Sequence, residues 1–269
     1  MSVPTLLTVY PAQPMRQPDA PERSGGGSSG HVGVYVVDKP EGKSSMQVVS
    51  VVRRRAGGAR TGHAGTLDPL ATGVLVLALG RATKSLDRLM RTDKVYQTTI
   101  DLSAFTTTDD REGERTEVDV VDPPSVAAVE AVLDRFVGEI EQRPPAFSAV
   151  KIKGRRAYEL ARRGESVAPE ARRVEIHSIE LLDYVWPEMT IEVETAKGVY
   201  IRSLARDIGA ALGTGGHCQT VRRTAVGPFT SEMAVPLDEV PDPLAPEMLL
   251  SLDRAMQLVE SMNREDADP

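Results

Sequence analysis

The chain of 269 residues is short of several things, and each shortage removes a class of protein. It has one cysteine, Cys218, so no internal disulfide and no multi-cysteine zinc site can form. Aromatic residues make up only 4%, so a core must rest on Val, Leu, Ile and Ala. Apolar runs such as 73–79 fall far below the roughly 20 residues that a membrane helix needs. Residues 1–30 hold no charged start followed by a long apolar stretch, so no secretory signal is read there. A reduced, cytoplasmic setting away from membranes is the expectation. Cys218 itself reads as a small packing residue.

The net charge of −7 argues at first against a nucleic-acid partner. Its distribution changes that reading. Residues 1–30 are neutral overall, 231–269 carry −8, and 31–230 carry +1. Within that middle the basic residues cluster around 53–60, 81–94 and 151–163. Such clusters are either solvated helix faces or surfaces that track phosphates, since local charge sets the field at a surface.

Composition divides the chain into three parts. Residues 1–30, with five prolines and the run S-G-G-G-S-S-G, read as a disordered tail. Residues 31–230 read as the folded unit, and 231–269 as an acidic extension with one helix over 245–261. Strands are expected at 33–40, 74–79, 95–102, 174–184, 189–194 and 221–226, from short apolar or alternating runs. Helices are expected at 45–56, 82–90, 124–136, 157–163 and 200–212. The irregular interleaving favours an α+β fold around a mixed, largely antiparallel sheet, flanked by helices and loops.

The loop G-H-A-G-T-L-D-P-L-A-T-G (62–73) concentrates reactive residue types. Its glycines let the backbone turn sharply, and Pro69 stiffens the turn after Asp68. A carboxylate held so can be a nucleophile, a general base, a metal ligand or a helix cap. No second His or carboxylate lies at ligand spacing, so no metal is expected. The phosphate-loop pattern G-x-x-x-x-G-K-[ST] is absent.

This loop resembles the catalytic motif of the TruB family, the bacterial tRNA pseudouridine-55 synthases. Four further core segments match that family in order: K-P-E-G-K-S-S (39–45), D-K-V-Y (93–96), K-G-V-Y-I-R-S-L-A-R-D-I-G (197–209) and G-G-H-C-Q-T-V-R-R-T-A-V-G (215–227). P-P-A-F-S-A-V-K-I-K-G-R-R-A-Y-E-L-A-R-R-G (144–164) resembles its RNA-gripping insertion, placed at about 144–170. The resemblance implies a pseudouridine-synthase fold that isomerises uridine 55 in the T-arm of tRNA, without cofactor or metal, as a monomer. A tRNA-binding RNA chaperone, or a synthase acting on another RNA, stands beside that reading.

The same resemblance implies residue roles. Asp68 is the nucleophile, kept ionised under a flipped uridine by Arg202, whose guanidinium suits a two-pronged grip on a carboxylate. Tyr96 stacks on the base and relays a proton. Tyr200 and Val221 line the uridine pocket, where the family commonly has leucine in place of Val221. His63 fills the space that the flipped base leaves. Lys84, Arg88 and the basic stretch holding Lys151 contact phosphates. The segment L-S-A-F-T-T-T-D-D (102–110) departs from the family's L-G-x-x-T-D-T-D-D, and no C-terminal PUA domain is expected.

Overall fold

The computed structural model describes residues 30–148, 151–152, 154–156 and 169–265. The tail 1–30, all but its last residue, lies outside that range, as does the helix expected at 157–163.

Among the described residues fourteen strands follow in chain order: β1 Gly33–Lys39, β2 Thr61–His63, β3 Thr72–Leu79, β4 Lys94–Asp101, β5 Ala104–Thr106, β6 Arg115–Glu117 and β7 Gly138–Gln142, then β8 Lys151–Ile152, β9 Arg155–Arg156, β10 Arg172–Val185, β11 Glu188–Thr195, β12 His217–Val226, β13 Phe229–Thr230 and β14 Val235–Pro236. The α-helices among the same residues are α1 Ser45–Arg55, α2 Leu86–Met90, α3 Val126–Leu133, α4 Ile201–Leu212 and α5 Leu252–Glu265. The main sheet runs β14-β1-β3-β12-β4-β11-β10-β7, with β2 beside β3 and β13 beside β12. Only β1·β14 and β3·β12 pair in parallel, so the sheet is mixed and largely antiparallel. This is the α+β architecture that the interleaved pattern predicts.

Alternation along β1 and β3 decides how the layers stack. Tyr35, Val37, Leu75, Leu77 and Leu79 face α1, where Val48, Val49 and Val52 complete one core. Val34, Val36, Val74, Val76 and Ala78 point the other way, toward Ala255 and Val259 of α5. A strand buried on both faces reads as an unbroken apolar run, which is why 74–79 shows no alternation in sequence. A third core joins β4, β10, β11 and β12 to α3 and α4. Truncating a side chain such as Leu77, wholly buried, to alanine costs about 2–5 kcal/mol.

Several elements differ from the sequence expectation. β2 lies inside the glycine-rich loop, and β7 precedes the proline-rich segment. Both are too short for a period, and their partners β3 and β10 supply the pairing. The polar segment after β4 is flanked by the β5–β6 hairpin. The C-terminal helix begins at Leu252 and not at Ala245. Pro246 opens a single 3-10 turn, and Leu250 then exchanges backbone hydrogen bonds with Val34, which holds the chain extended. Residues 235–259 are built into the fold: β14 pairs with β1, and Leu237, Val240, Leu244 and Leu249 enter the α1 core. Among the described residues no helix is long and apolar enough to cross a membrane.

Candidate active site

Asp68 stands in a loop fastened at three successive points. The loop enters from β2 and leaves into β3, so one strand edge fixes both of its ends. Ser44 caps α1 through a capping box with Gln47, which frees Ser45 for another task. The Ser45 hydroxyl accepts from Leu67 N–H at 2.8 Å and donates to Leu67 O at 3.0 Å. Lys39, wholly buried, donates through Nζ to Pro69 O at 3.2 Å and to Pro40 O and Lys43 O. Arg223, equally buried, donates from Nη2 to Gly65 O at 3.2 Å and from Nε to Val74 O at 2.8 Å. Gly73 has φ of +99°, and a Cβ there would meet Arg223 O at 2.2 Å. The close approach of β12 therefore requires glycine.

Arg202 arrives on α4, which shares one hydrophobic core with Leu67 and Ala71 of the loop. That helix buries Ile201, Leu204, Ala205 and Ile208, one face of a 3.6-residue period, and ends at Gly213 in the left-handed conformation. Arg202 sits on the shoulder of this face with its side chain 7% exposed. A charge so placed must be compensated. Nη2 lies 2.9 Å from Asp68 Oδ2 and donates to Phe147 O at 2.9 Å. Nη1 donates to Asp110 Oδ2 at 3.1 Å and to Thr108 O at 2.9 Å. The two-pronged grip on Asp68 implied by the resemblance is thus replaced by a split one, in which the guanidinium spans two carboxylates. Burial opposes the Arg202 charge, and the Asp68 and Asp110 carboxylates more than offset it, so its pKa rises above the usual value. The guanidinium stays charged.

A cleft of about 650 Å³ opens over this pair. Asp68, Tyr96, Tyr200, Arg202 and Val221 all line it. Tyr96 comes from β4 and Val221 from the neighbouring β12, each nearly buried, with one edge turned to the cavity. Among the described residues seven basic side chains line the cleft against two acidic ones: Arg91, Lys94, Arg172, Arg173, Lys197, Arg202 and Arg223, with Asp68 and Asp87. Burial, reinforced by Arg223, pulls the Lys94 pKa down to about 8. Burial likewise lowers Lys39 to about 8, against the pull of Asp68.

Other sequence-derived residues fall elsewhere. His63 lies on β2 outside the cleft wall, paired with Leu77. Burial and the Arg223 charge lower its pKa, which favours the neutral imidazole near pH 7. Lys84 is exposed on the 3-10 turn Gly80–Ser85 and does not line the cleft. Arg88 is engaged by Glu260 of α5 at 2.9 Å. The side chain of Lys151 lies outside the described residues. Cys218 is buried between Thr98 and Ile201, and burial pushes its thiol up to about 12, as fits a packing residue.

Sequence reasoning missed Asp110, Lys39, Gln142 and Arg223. Each acts by holding a backbone carbonyl, a loop or another side chain, and no spacing rule marks such a role. The signal for Asp110 is its place in T-T-T-D-D, and for Arg223 the pair R-R following Val221. Among the described residues no three His, Cys, Asp or Glu side chains gather to hold a metal.

The chain matches the family described as TruB family pseudouridylate synthase (N terminal domain) over residues 53–201. It matches the tRNA pseudouridylate synthase B C-terminal domain over 202–262. It is 50% identical to the tRNA pseudouridine synthase B of Thermobifida fusca over 216 residues, covering 77% of this chain and 74% of that one. It is 46% identical to the protein of the same name from Corynebacterium diphtheriae over 233 residues, 83% and 76% of the two chains. Among solved structures it resembles a chain of a Cbf5-Nop10-Gar1 complex, with TM-score 0.66 and 28% identity. That match covers 86% of this chain and 63% of the other.

Proposed function

Because the chain belongs to the TruB family of pseudouridylate synthases, we propose that it isomerises uridine to pseudouridine at position 55 in the T-arm of tRNA, with Asp68 as nucleophile. The observation that carries this reading is the Asp68–Arg202 ion pair at 2.9 Å on the floor of a basic cleft lined by Tyr96 and Tyr200.

The reaction breaks the C1′–N1 glycosidic bond, turns the base and forms a C1′–C5 bond. The C5 proton leaves and N1 gains one, so no group is added and no redox change occurs. A carboxylate that bonds transiently to the nucleotide divides this into easier steps. Asp68 reaches the substrate because its side chain is half-exposed at the cleft while its backbone is fixed. Arg202, charged throughout, balances the carboxylate when the nucleotide covers it. Tyr96 offers a ring face for the uracil and a hydroxyl to carry the proton between C5 and N1. Tyr200 and Val221 bound the base laterally.

A stacked uridine must first be flipped out of the RNA, at a cost of a few kcal/mol. The neutral imidazole of His63 fits the role of filling the vacated space, since stacking requires no charge. Arg91, Lys94, Arg173 and Lys197 on the cleft wall supply the field for the RNA backbone, whatever the total charge of the chain. Lys84, exposed on the 3-10 turn Gly80–Ser85, and Lys151 are assigned to RNA phosphates as well. We assign the chemistry to residues 31–230, acting in the cytoplasm as a monomer. Incubating the chain with unmodified tRNA transcript and mapping pseudouridine tests the reading. Modification confined to uridine 55 is expected. Tight tRNA binding with no pseudouridine would favour an RNA chaperone instead.

A further inference from the structure

We propose that Gln142 and Arg172 form a clamp that positions Tyr200, and through it sets the rate of the chemical step. The proposal rests on the reading of Tyr200 as a wall of the uridine pocket.

Tyr200 is the residue before the first turn of α4, and its side chain makes no capping hydrogen bond. Its backbone is held from outside. The Gln142 amide accepts from Tyr200 N–H at 2.8 Å and donates to Tyr200 O at 3.1 Å. Both halves of one primary amide are thus spent on a single residue. Gln142 is 1% exposed, so each of those bonds would leave a buried group unpaired if lost. A buried glutamine has four hydrogen-bonding sites to satisfy, and an apolar residue would pack the same space without that demand. Placed there, the amide gauges the position of the Tyr200 peptide.

Arg172 holds the other end of the same residue. It faces Gln142 directly in the antiparallel register of β10 and β7. Its guanidinium carbon lies 5.1 Å from the centre of the Tyr200 ring, and Nη2 donates to Gly198 O at 2.5 Å. The Gly198 backbone, at φ of +94°, brings that carbonyl around to the guanidinium. A planar cation over an aromatic face restricts the ring as well as attracting it. Gln142 therefore fixes where Tyr200 starts, and Arg172 fixes where its ring lies. Arg202 follows two residues later on the same first turn.

The segment after Gln142 is tied to the same helix. The Ser203 hydroxyl donates to Arg143 O at 2.8 Å, Arg206 Nη2 donates to Arg143 O at 3.0 Å, and Arg202 Nη2 to Phe147 O.

Arg172 also lines the cleft, so a direct contact to an RNA phosphate is the competing role, and the two predict different kinetics. The test measures single-turnover rates at saturating tRNA, together with tRNA affinity, for Arg172→Met, Arg172→Lys, Tyr200→Leu and the double variant Arg172→Met/Tyr200→Leu. Arg172 is exposed, so these changes do not threaten the fold. A positioning role predicts that Arg172→Met slows the saturated rate about three- to fivefold, the scale of one cation–π contact, with affinity changed less than about twofold. Arg172→Lys, which keeps the charge but loses the plane, should restore only part of that rate, and Arg172→Met should cost nothing further once Tyr200 is leucine. Gln142→Leu should slow the saturated rate more than about tenfold, since two backbone bonds are lost. Loss of affinity with an unchanged saturated rate, or full multiplication of the two effects in the double variant, would overturn the clamp. The wild-type rate, measured alongside, reports on the assigned reaction separately.

Discussion

Arg202 and Arg88 each stand 2.9 Å from a carboxylate oxygen, of Asp68 and Glu260 respectively, yet the two pairs differ in almost everything else. The Arg202 side chain is 7% exposed and its second partner, Asp110, is 5% exposed. Arg88 and Glu260 are both more than half exposed. Water solvates the second pair in either state and screens it. Arg202 has lost that alternative, so its charge is compensated only by what the fold places around it. Distance alone does not distinguish a binding-site ion pair from a surface one; the cost of breaking it does.

That contrast can be broken at several points. Arg202→Met would leave Asp110 buried without its cation and Asp68 without its counter-charge. The expected cost is about 3–5 kcal/mol of stability, read from denaturant unfolding, with activity lost as well. Survival of the melting transition unchanged would mean that the buried network is not under the demand described. Gly73→Ala comes next. Its positive φ and the approach of the Arg223 carbonyl should cost at least about 2 kcal/mol and displace the Asp68 loop. A fully stable, fully active alanine variant would show that the loop tolerates slack. Glu260→Gln should be smallest, within about 0.5 kcal/mol, because both partners remain hydrated. It should also free Arg88 and strengthen tRNA binding slightly at low salt. A large drop in melting temperature there would erase the distinction between the two pairs.

A chemical probe sharpens the same comparison without mutation. Burial pushes the Cys218 thiol up to about 12, so native protein at pH 8 should resist alkylation and label only on unfolding. Rapid labelling of the folded chain would show that the core beneath α4 opens readily.

How much of this was legible in the sequence follows from what each residue touches. Asp68, Arg202, Tyr96, Tyr200 and Val221 stand in motifs with recognisable spacing, and all five meet in one cleft. Their supports were invisible for a physical reason. Lys39, Gln142 and Arg223 spend their side chains on backbone atoms, so their partners are fixed by tertiary packing and not by side-chain pattern. The long strands declared themselves by apolar runs or alternation, as did the α1 and α4 faces. β2 and β7 did not, because three and five residues hold too little period. The C-terminal segment looked like an acidic appendage by charge. Its sparse apolar residues, from Leu237 to Val259, are nonetheless the ones that close the sheet edge. Charge counts describe the outside of such a segment, and its few apolar positions decide where it packs.

The most direct measurement is the single-turnover rate of Asp68→Asn on unmodified tRNA, with binding measured on the same preparation. The substitution removes the carboxylate and almost no volume. Pseudouridine formation should fall by at least about a thousandfold while tRNA affinity stays within a few-fold of wild type. A near-normal rate in that variant would contradict the assignment of Asp68 as nucleophile, whatever the geometry of its pairing with Arg202.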